Sequence, residues 1–330
     1  MIISQTPLRI SLVGGGTDLE DFWSEEPGAV LSMAIDKYVY VIVKERFDDL
    51  IYINYSQKEI VENVAEIKHD LVRESFLKAE INSGVEITTL ADIPSEGSGL
   101  GSSSSIIVGL LNAFYAYRGK QVMAEQLAQE ACEIEIDILG KPIGKQDQYI
   151  SAYGGLKEIT FNSDDTVTVE EVKIHNNHRR VFGSNILLFY TDITRQSSFI
   201  LTEQKAYIQN KMELLRKMRN QVPNVRKVLE DNDDFDEIGH ILHQAWELKK
   251  QITDKISNPV IDEMYQKARE AGALGGKISG AGGGGFLLVY VPRKDQNNVR
   301  KALKGYREFP FMLDPYGSRI LFNVKRDYWK

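Results

Sequence analysis

Hydrophobic positions recur with period two at the start of the chain. Leu8, Ile10 and Leu12 alternate with Arg9, Ser11 and Val13, the pattern of a half-buried strand. Further β-rich runs stand at Tyr38–Lys44, Ile51–Tyr55, Val85–Leu90, Leu156–Phe161 and Val167–Ile174. The period changes after Ser102, where Ile106, Ile107, Leu110, Leu111 and Phe114 form one helical stripe that Gly119 is placed to end. A second helix is expected from about Met123 to Leu139, stopped by Gly140 and Pro142. The second half opens with a strand, Ile186–Tyr190. Amphipathic helices follow at about Ser197–Met218, Asp236–Ile256 and Pro259–Glu270. A glycine tract, a strand Phe286–Val291, a charged helix and a strand near Arg319–Val324 complete the chain. Neither half alternates regularly between strand and helix, so the fold class is α+β, not a doubly wound sheet. The polar turn His175–Arg180 marks the expected boundary between two domains, residues 1–180 and 181–330.

One residue breaks its stripe. At 100° per residue, Ala124, Leu127, Ala128, Ala131, Ile134 and Ile138 share a face of the second helix. Glu135 falls in the middle of that face, whereas Glu130, Glu133 and Asp137 point away. A buried carboxylate is costly unless it is paired or bound to metal. A core arginine, a backbone donor or a Mg²⁺ ion shared with a nucleotide would each answer that cost, and the metal explains the position best.

The sharpest chemical signal is Pro94-Ser95-Glu96-Gly97-Ser98-Gly99-Leu100-Gly101-Ser102-Ser103-Ser104-Ser105, between a strand and an apolar helix. Glycines let the backbone turn its N–H groups toward an anion, and a helix N-terminus adds its own unsatisfied donors. Serine hydroxyls there can cap the helix, bond phosphate oxygens or ligate Mg²⁺. It is not a Walker loop, because Ser102 stands where a lysine is required. It is not a dinucleotide fingerprint, nor is Gly14-Gly15-Gly16, since each lacks its third glycine. Two other stretches join it. Gly140-Lys141-Pro142-Ile143-Gly144-Lys145-Gln146-Asp147-Gln148-Tyr149 places Asp147 in a glycine-bounded turn. Lys277-Ile278-Ser279-Gly280-Ala281-Gly282-Gly283-Gly284-Gly285 runs straight into a strand, which suits a close backbone approach better than a linker.

Taken together these stretches resemble the three motifs of the GHMP kinases, at Pro7–Leu19, Pro94–Ser105 and Lys277–Gly285. The resemblance implies an N-terminal α+β domain with a left-handed crossover and a ferredoxin-like C-terminal domain. It implies ATP and Mg²⁺ as cofactors. Gly97, Ser98, Gly99, Leu100, Gly101, Ser102, Ser103 and Ser104 match the nucleotide loop, and Ser103 with Glu135 matches the metal site. Asp147 matches the catalytic aspartate and Arg9 an arginine beside it. Gly15, Gly16, Thr17, Asp18, Gly144, Lys145, Arg195, Gly280, Ala281 and Gly282 match substrate-side positions. Galactokinases carry a Glu-His pair where this chain has Gly15 and Gly16, so two hexose-gripping side chains are gone. The stretches 14–19, 144–149 and 191–201 are similar to those of D-glycero-D-manno-heptose 7-phosphate kinases, with Asp192 in place of an expected glycine. That likeness implies phosphorylation at the anomeric oxygen to a 1,7-bisphosphate, in the supply of GDP-heptose for a surface polysaccharide. An anomeric kinase of a neutral sugar and a non-catalytic ligand-binding relative are the alternatives.

Composition agrees with a soluble enzyme. The 330 residues are 42% hydrophobic and 26% charged, and the net charge of −7 argues against a nucleic-acid partner. No apolar run reaches the length of a membrane span, the start lacks a signal-peptide layout, and the single Cys132 excludes an internal disulfide. A cytoplasmic enzyme with small-molecule partners, a sugar phosphate and ATP, is expected, with neither nucleic acid nor membrane as partner.

Overall fold

The computed structural model describes residues 1–93, 97–194, 197–231 and 234–324, without the side chains of 197–199, 204, 206, 207 and 209. The first half runs β1 (Ile2–Val13), α1 (Glu20–Trp23), β2 (Gly28–Glu45), β3 (Ile51–Asn54), β4 (Lys58–Val61), α2 (Asp70–Lys78) and β5 (Val85–Ala91). Then come α3 (Ser102–Tyr117), α4 (Ala124–Cys132), α5 (Gln146–Tyr153), β6 (Leu156–Phe161), β7 (Val167–Glu171) and α6 (Asn176–Ser184). The second half contains β8 (Ile186–Tyr190), α7 (Ser197–Arg219), α8 (Val222–Asp231), α9 (Asp236–Lys250) and α10 (Pro259–Glu270). It ends with β9 (Gly275–Ile278), β10 (Phe286–Tyr290), α11 (Gln296–Ala302) and β11 (Arg319–Asn323).

The larger sheet has the order β11-β1-β2-β5-β3-β4, and the first half of β2 pairs with β6, which carries β7. Strands β3 and β5 are parallel, and the crossover between them includes β4 and α2. β1 lies between β2 and β11, and its residues from Ser4 onward are all buried. The expectation of a half-buried strand is therefore corrected: Leu8, Ile10 and Leu12 face the apolar core, while Arg9 and Ser11 face the site. The smaller sheet has the order β8-β10-β9, and an isolated bridge from Phe189 to Glu308 extends it. That β-α-β-β-α-β succession is the ferredoxin-like arrangement. β11 returns to the first sheet, antiparallel to β1, so the end of the chain ties the two halves together. Among the described residues no helix is long and apolar enough to cross a membrane.

Three local expectations are corrected. His175–Arg180 is not a turn: α6 starts at Asn176, and the His175 ring accepts from the Asn177 N–H. Asp147 is not in a turn either, but in the first turn of α5. The helix expected to reach Leu139 stays α-helical only to Cys132 and continues as a π-turn over Glu133–Ile138. The wider turn shifts the helical phase toward its end, so Ile138 is 50% exposed although a regular helix would bury it.

Candidate active site

The motif residues converge where the N-terminus of α3 meets the end of β1, the start of α5 and the turn between β9 and β10. Gly97, Gly99 and Gly101 all have positive φ, so alternate peptides of this loop point in different directions as the chain enters α3. The β9–β10 turn presses on it from behind. A β-carbon on Gly99 would lie 2.4 Å from the carbonyl oxygen of Ser279, and one on Gly280 would lie 2.7 Å from the Gly99 Cα. Gly280 therefore supports the loop by backbone contact, whereas Gly282 packs on Ile256 and Ala281 borders the smaller apolar core.

Arg9 joins the loop to α5. Its Nε and one terminal nitrogen donate to both oxygens of Asp147, each at 2.7 Å, and the other donates to the Gly99 carbonyl at 2.6 Å. The Arg9 N–H also bonds the Leu100 carbonyl at 3.0 Å. This fork fixes the Asp147 carboxylate relative to the loop in a way a lysine would not. Arg9 is buried, while the Asp147 side chain keeps 22% of its surface open.

Glu135 is completely buried, as its position on the apolar face predicts. Its carboxylate accepts from the hydroxyls of Ser103 and Ser104 at 2.6 Å each and from Gln148 at 2.7 Å. Lys141 brings its ammonium to 3.6 Å from the same carboxylate and 3.5 Å from the Ser103 hydroxyl. Ser104 is thus turned toward Glu135. Ser98 is buried, and its hydroxyl accepts from the Leu100 N–H at 3.4 Å. The Ser102 hydroxyl at the head of α3 is buried without a partner, an open donor beside the loop. Among the described residues no three His, Cys, Asp or Glu side chains cluster as metal ligands. One carboxylate with adjacent hydroxyls suits Mg²⁺, which takes its remaining ligands from phosphates and water. Ser103 and Glu135 fit that role.

On the other side of Asp147 lies a cradle of a different character. Asp18 is buried and accepts from the Gly16 N–H and from Gln146, both at 2.8 Å. Gln146 in turn accepts from Ser32 at 3.3 Å. A β-carbon on Gly144 would lie 2.1 Å from the Asp18 carboxylate, so the two segments touch only because residue 144 is glycine. Gly15 lies open between Gln146 and Ser11, whose hydroxyl is buried and unpartnered. Thr17 is different: its hydroxyl donates to the Gly14 and Ala29 carbonyls and accepts from the Ala29 N–H, so it pins the loop from a fully buried position. Lys145 also departs from expectation. Its ammonium pairs with Asp165 and lies 4.2 Å from the centre of the Trp23 ring. Arg195 lies outside the described residues. Sequence reasoning missed Gln146 and Gln148, which flank Asp147 on α5 and reach the two other carboxylates of the site.

Burial raises the Asp18 carboxyl above its usual range, with the Asp147 charge adding to it and the two donors working against it. A carboxyl raised in the folded state gives its full contribution below the unfolded value and loses it as pH rises through the folded one. Asp18→Asn should therefore gain thermal stability relative to the parent as pH rises through the Asp18 titration, while its acceptor binding weakens. The gain should shrink as pH falls toward about 4. A midpoint difference between variant and parent that does not change with pH would show that burial does not raise this carboxyl.

Residues 59–155 match the profile of the GHMP kinases N terminal domain, and residues 214–307 that of the GHMP kinases C terminal region. The chain is similar to the D-glycero-alpha-D-manno-heptose 7-phosphate kinase of Campylobacter jejuni, 31% identical over 94% of this chain and 96% of that protein. A galactokinase of Pyrococcus furiosus is 25% identical over 92% of each. A D-glycero-D-manno-heptose 1-phosphate kinase of Bacteroides thetaiotaomicron superposes with a TM-score of 0.83, covering 98% of this chain and all of that one at 26% identity.

Proposed function

The chain belongs to the GHMP kinases, ATP-dependent phosphotransferases, and from that premise we propose that its acceptor is D-glycero-D-manno-heptose 7-phosphate. The product is the 1,7-bisphosphate, a precursor of GDP-heptose for a surface polysaccharide. The observation that carries the reading is the fork of Arg9 on Asp147, set between the nucleotide loop and the Asp18–Gln146 cradle. A base placed there faces a sugar hydroxyl on one side and the phosphate loop on the other. The absence of a side chain at Gly15, which faces Gln146 and Ser11, and 31% identity to a heptose 7-phosphate kinase favour a larger sugar than galactose.

Asp147 accepts the proton of the anomeric hydroxyl as that oxygen bonds to the terminal phosphorus of ATP, the bond from that phosphorus to the β,γ-bridging oxygen breaks, and ADP leaves. Arg9 holds both carboxylate oxygens and, through Gly99, sets the distance from base to phosphate loop. The N–H groups of the loop and of the first turn of α3 receive the phosphate oxygens. Ser103 and Glu135 would hold Mg²⁺, which would supply neutralisation of phosphate charge. Asp18 and Gln146 orient sugar hydroxyls. In a coupled assay, kcat/KM for heptose 7-phosphate should exceed that for the free heptose by at least about 100-fold, the worth of a well-bound remote phosphate. Equal values would favour a neutral-sugar kinase.

A further inference from the structure

Two lysines that this chemistry does not use are buried beside it. Lys249 ends the apolar stripe of α9, is 7% exposed and donates to the Gly280 carbonyl, behind the nucleotide loop. Lys277, in β9, is 5% exposed and donates to the Leu12 carbonyl at 3.0 Å, two residues before the acceptor loop begins at Gly14. An ammonium has three N–H donors, and among the described residues each of these makes one hydrogen bond and no ion pair. Their electrostatic neighbours are each other, Arg9 and Asp18. Arg9 is already neutralised by Asp147. Two cations then face one carboxylate, which leaves a buried surplus of positive charge. Unpartnered, buried hydroxyls adjoin both contacts: Ser11 precedes Leu12, and Ser279 precedes Gly280.

We propose that Lys249 and Lys277, with the Ser11 hydroxyl, form the subsite for the phosphate monoester that the acceptor sugar carries. A buried cation without a counter-ion is costly, so a pair of them is intelligible where a dianion arrives with the substrate. Burial pushes the Lys249 ammonium down to about 8 and Lys277 well below its usual range, and a bound dianion reverses both effects. The terminal phosphate of ATP is the other phosphate that reaches this region. The hold of Lys277 on Leu12, at the entry to the acceptor loop, assigns the site to the acceptor.

The inference rests on the sugar-phosphate reading, and the two fail differently. If the parent turns over free heptose as well as heptose 7-phosphate, the reading falls, and the inference with it. If the parent prefers the phosphate and the variants keep that preference, only the inference falls. Lys249→Met and Lys277→Met retain the buried chain and remove the charge. Each should lose about 100-fold in kcat/KM for heptose 7-phosphate, less than about threefold for free heptose, and nothing in the Kd of a fluorescent ATP analogue. Equal losses for both sugars, or weakened nucleotide binding, would overturn the assignment. Inorganic phosphate tests the parent alone, independently of whether the variants fold. It should compete with heptose 7-phosphate and not with ATP, and competition against ATP instead would overturn the proposal.

Discussion

Asp147→Asn should fold, bind nucleotide with parental affinity, and lose roughly 10²–10⁴ in kcat, the range associated with a positioned general base. The amide cannot take the proton of the attacking hydroxyl. It also turns an NH₂ group toward one of the two Arg9 nitrogens that now donate to the carboxylate. Arg9 keeps its bond to the Gly99 carbonyl, so the phosphate loop should hold its shape. Single-turnover measurement of the chemical step with bound ATP isolates this effect from product release. A kcat within tenfold of the parent would remove Asp147 from the role of base.

Glu135→Gln should have the next largest effect. The carboxylate now accepts three hydrogen bonds, from Ser103, Ser104 and Gln148, with Lys141 close by. A glutamine must set its own NH₂ against one of those donors, and the charge that attracts a divalent cation is gone. Apparent Mg²⁺ affinity in the nucleotide-binding titration should fall by about 10- to 100-fold, with partial recovery of turnover at high Mg²⁺. A variant that only melts at lower temperature, with unchanged Mg²⁺ dependence, would make Glu135 a structural acid.

Much of this site can be read in the sequence because it rests on periodicity and on glycine. Glu135 is found where a carboxylate interrupts an apolar stripe, and its burial follows from that position. Lys249 carries the same signature, following Ile238, Leu242 and Ala245 on α9, yet a lysine at a helix end reads first as a solvated terminus. The first half of β2 is less legible, since residues packed on both faces lose the alternation that marks a strand. Helix α5 is hidden by the Gly140, Pro142 and Gly144 that precede it, which read as one long turn. Thr17 and Lys145 fit the motif by position, but their hydrogen-bonding groups are taken by Gly14 and Ala29 in one case and by Asp165 and Trp23 in the other. Such partners come from segments distant in the chain, and no local pattern announces them.

The most direct test of the account is phosphorus NMR of the enzyme incubated with ATP, Mg²⁺ and D-glycero-D-manno-heptose 7-phosphate. The account predicts a new sugar-phosphate resonance coupled to the anomeric proton, growing in step with ADP while the 7-phosphate resonance remains. ADP accompanied by inorganic phosphate alone, or a new phosphate on any other carbon, would contradict it.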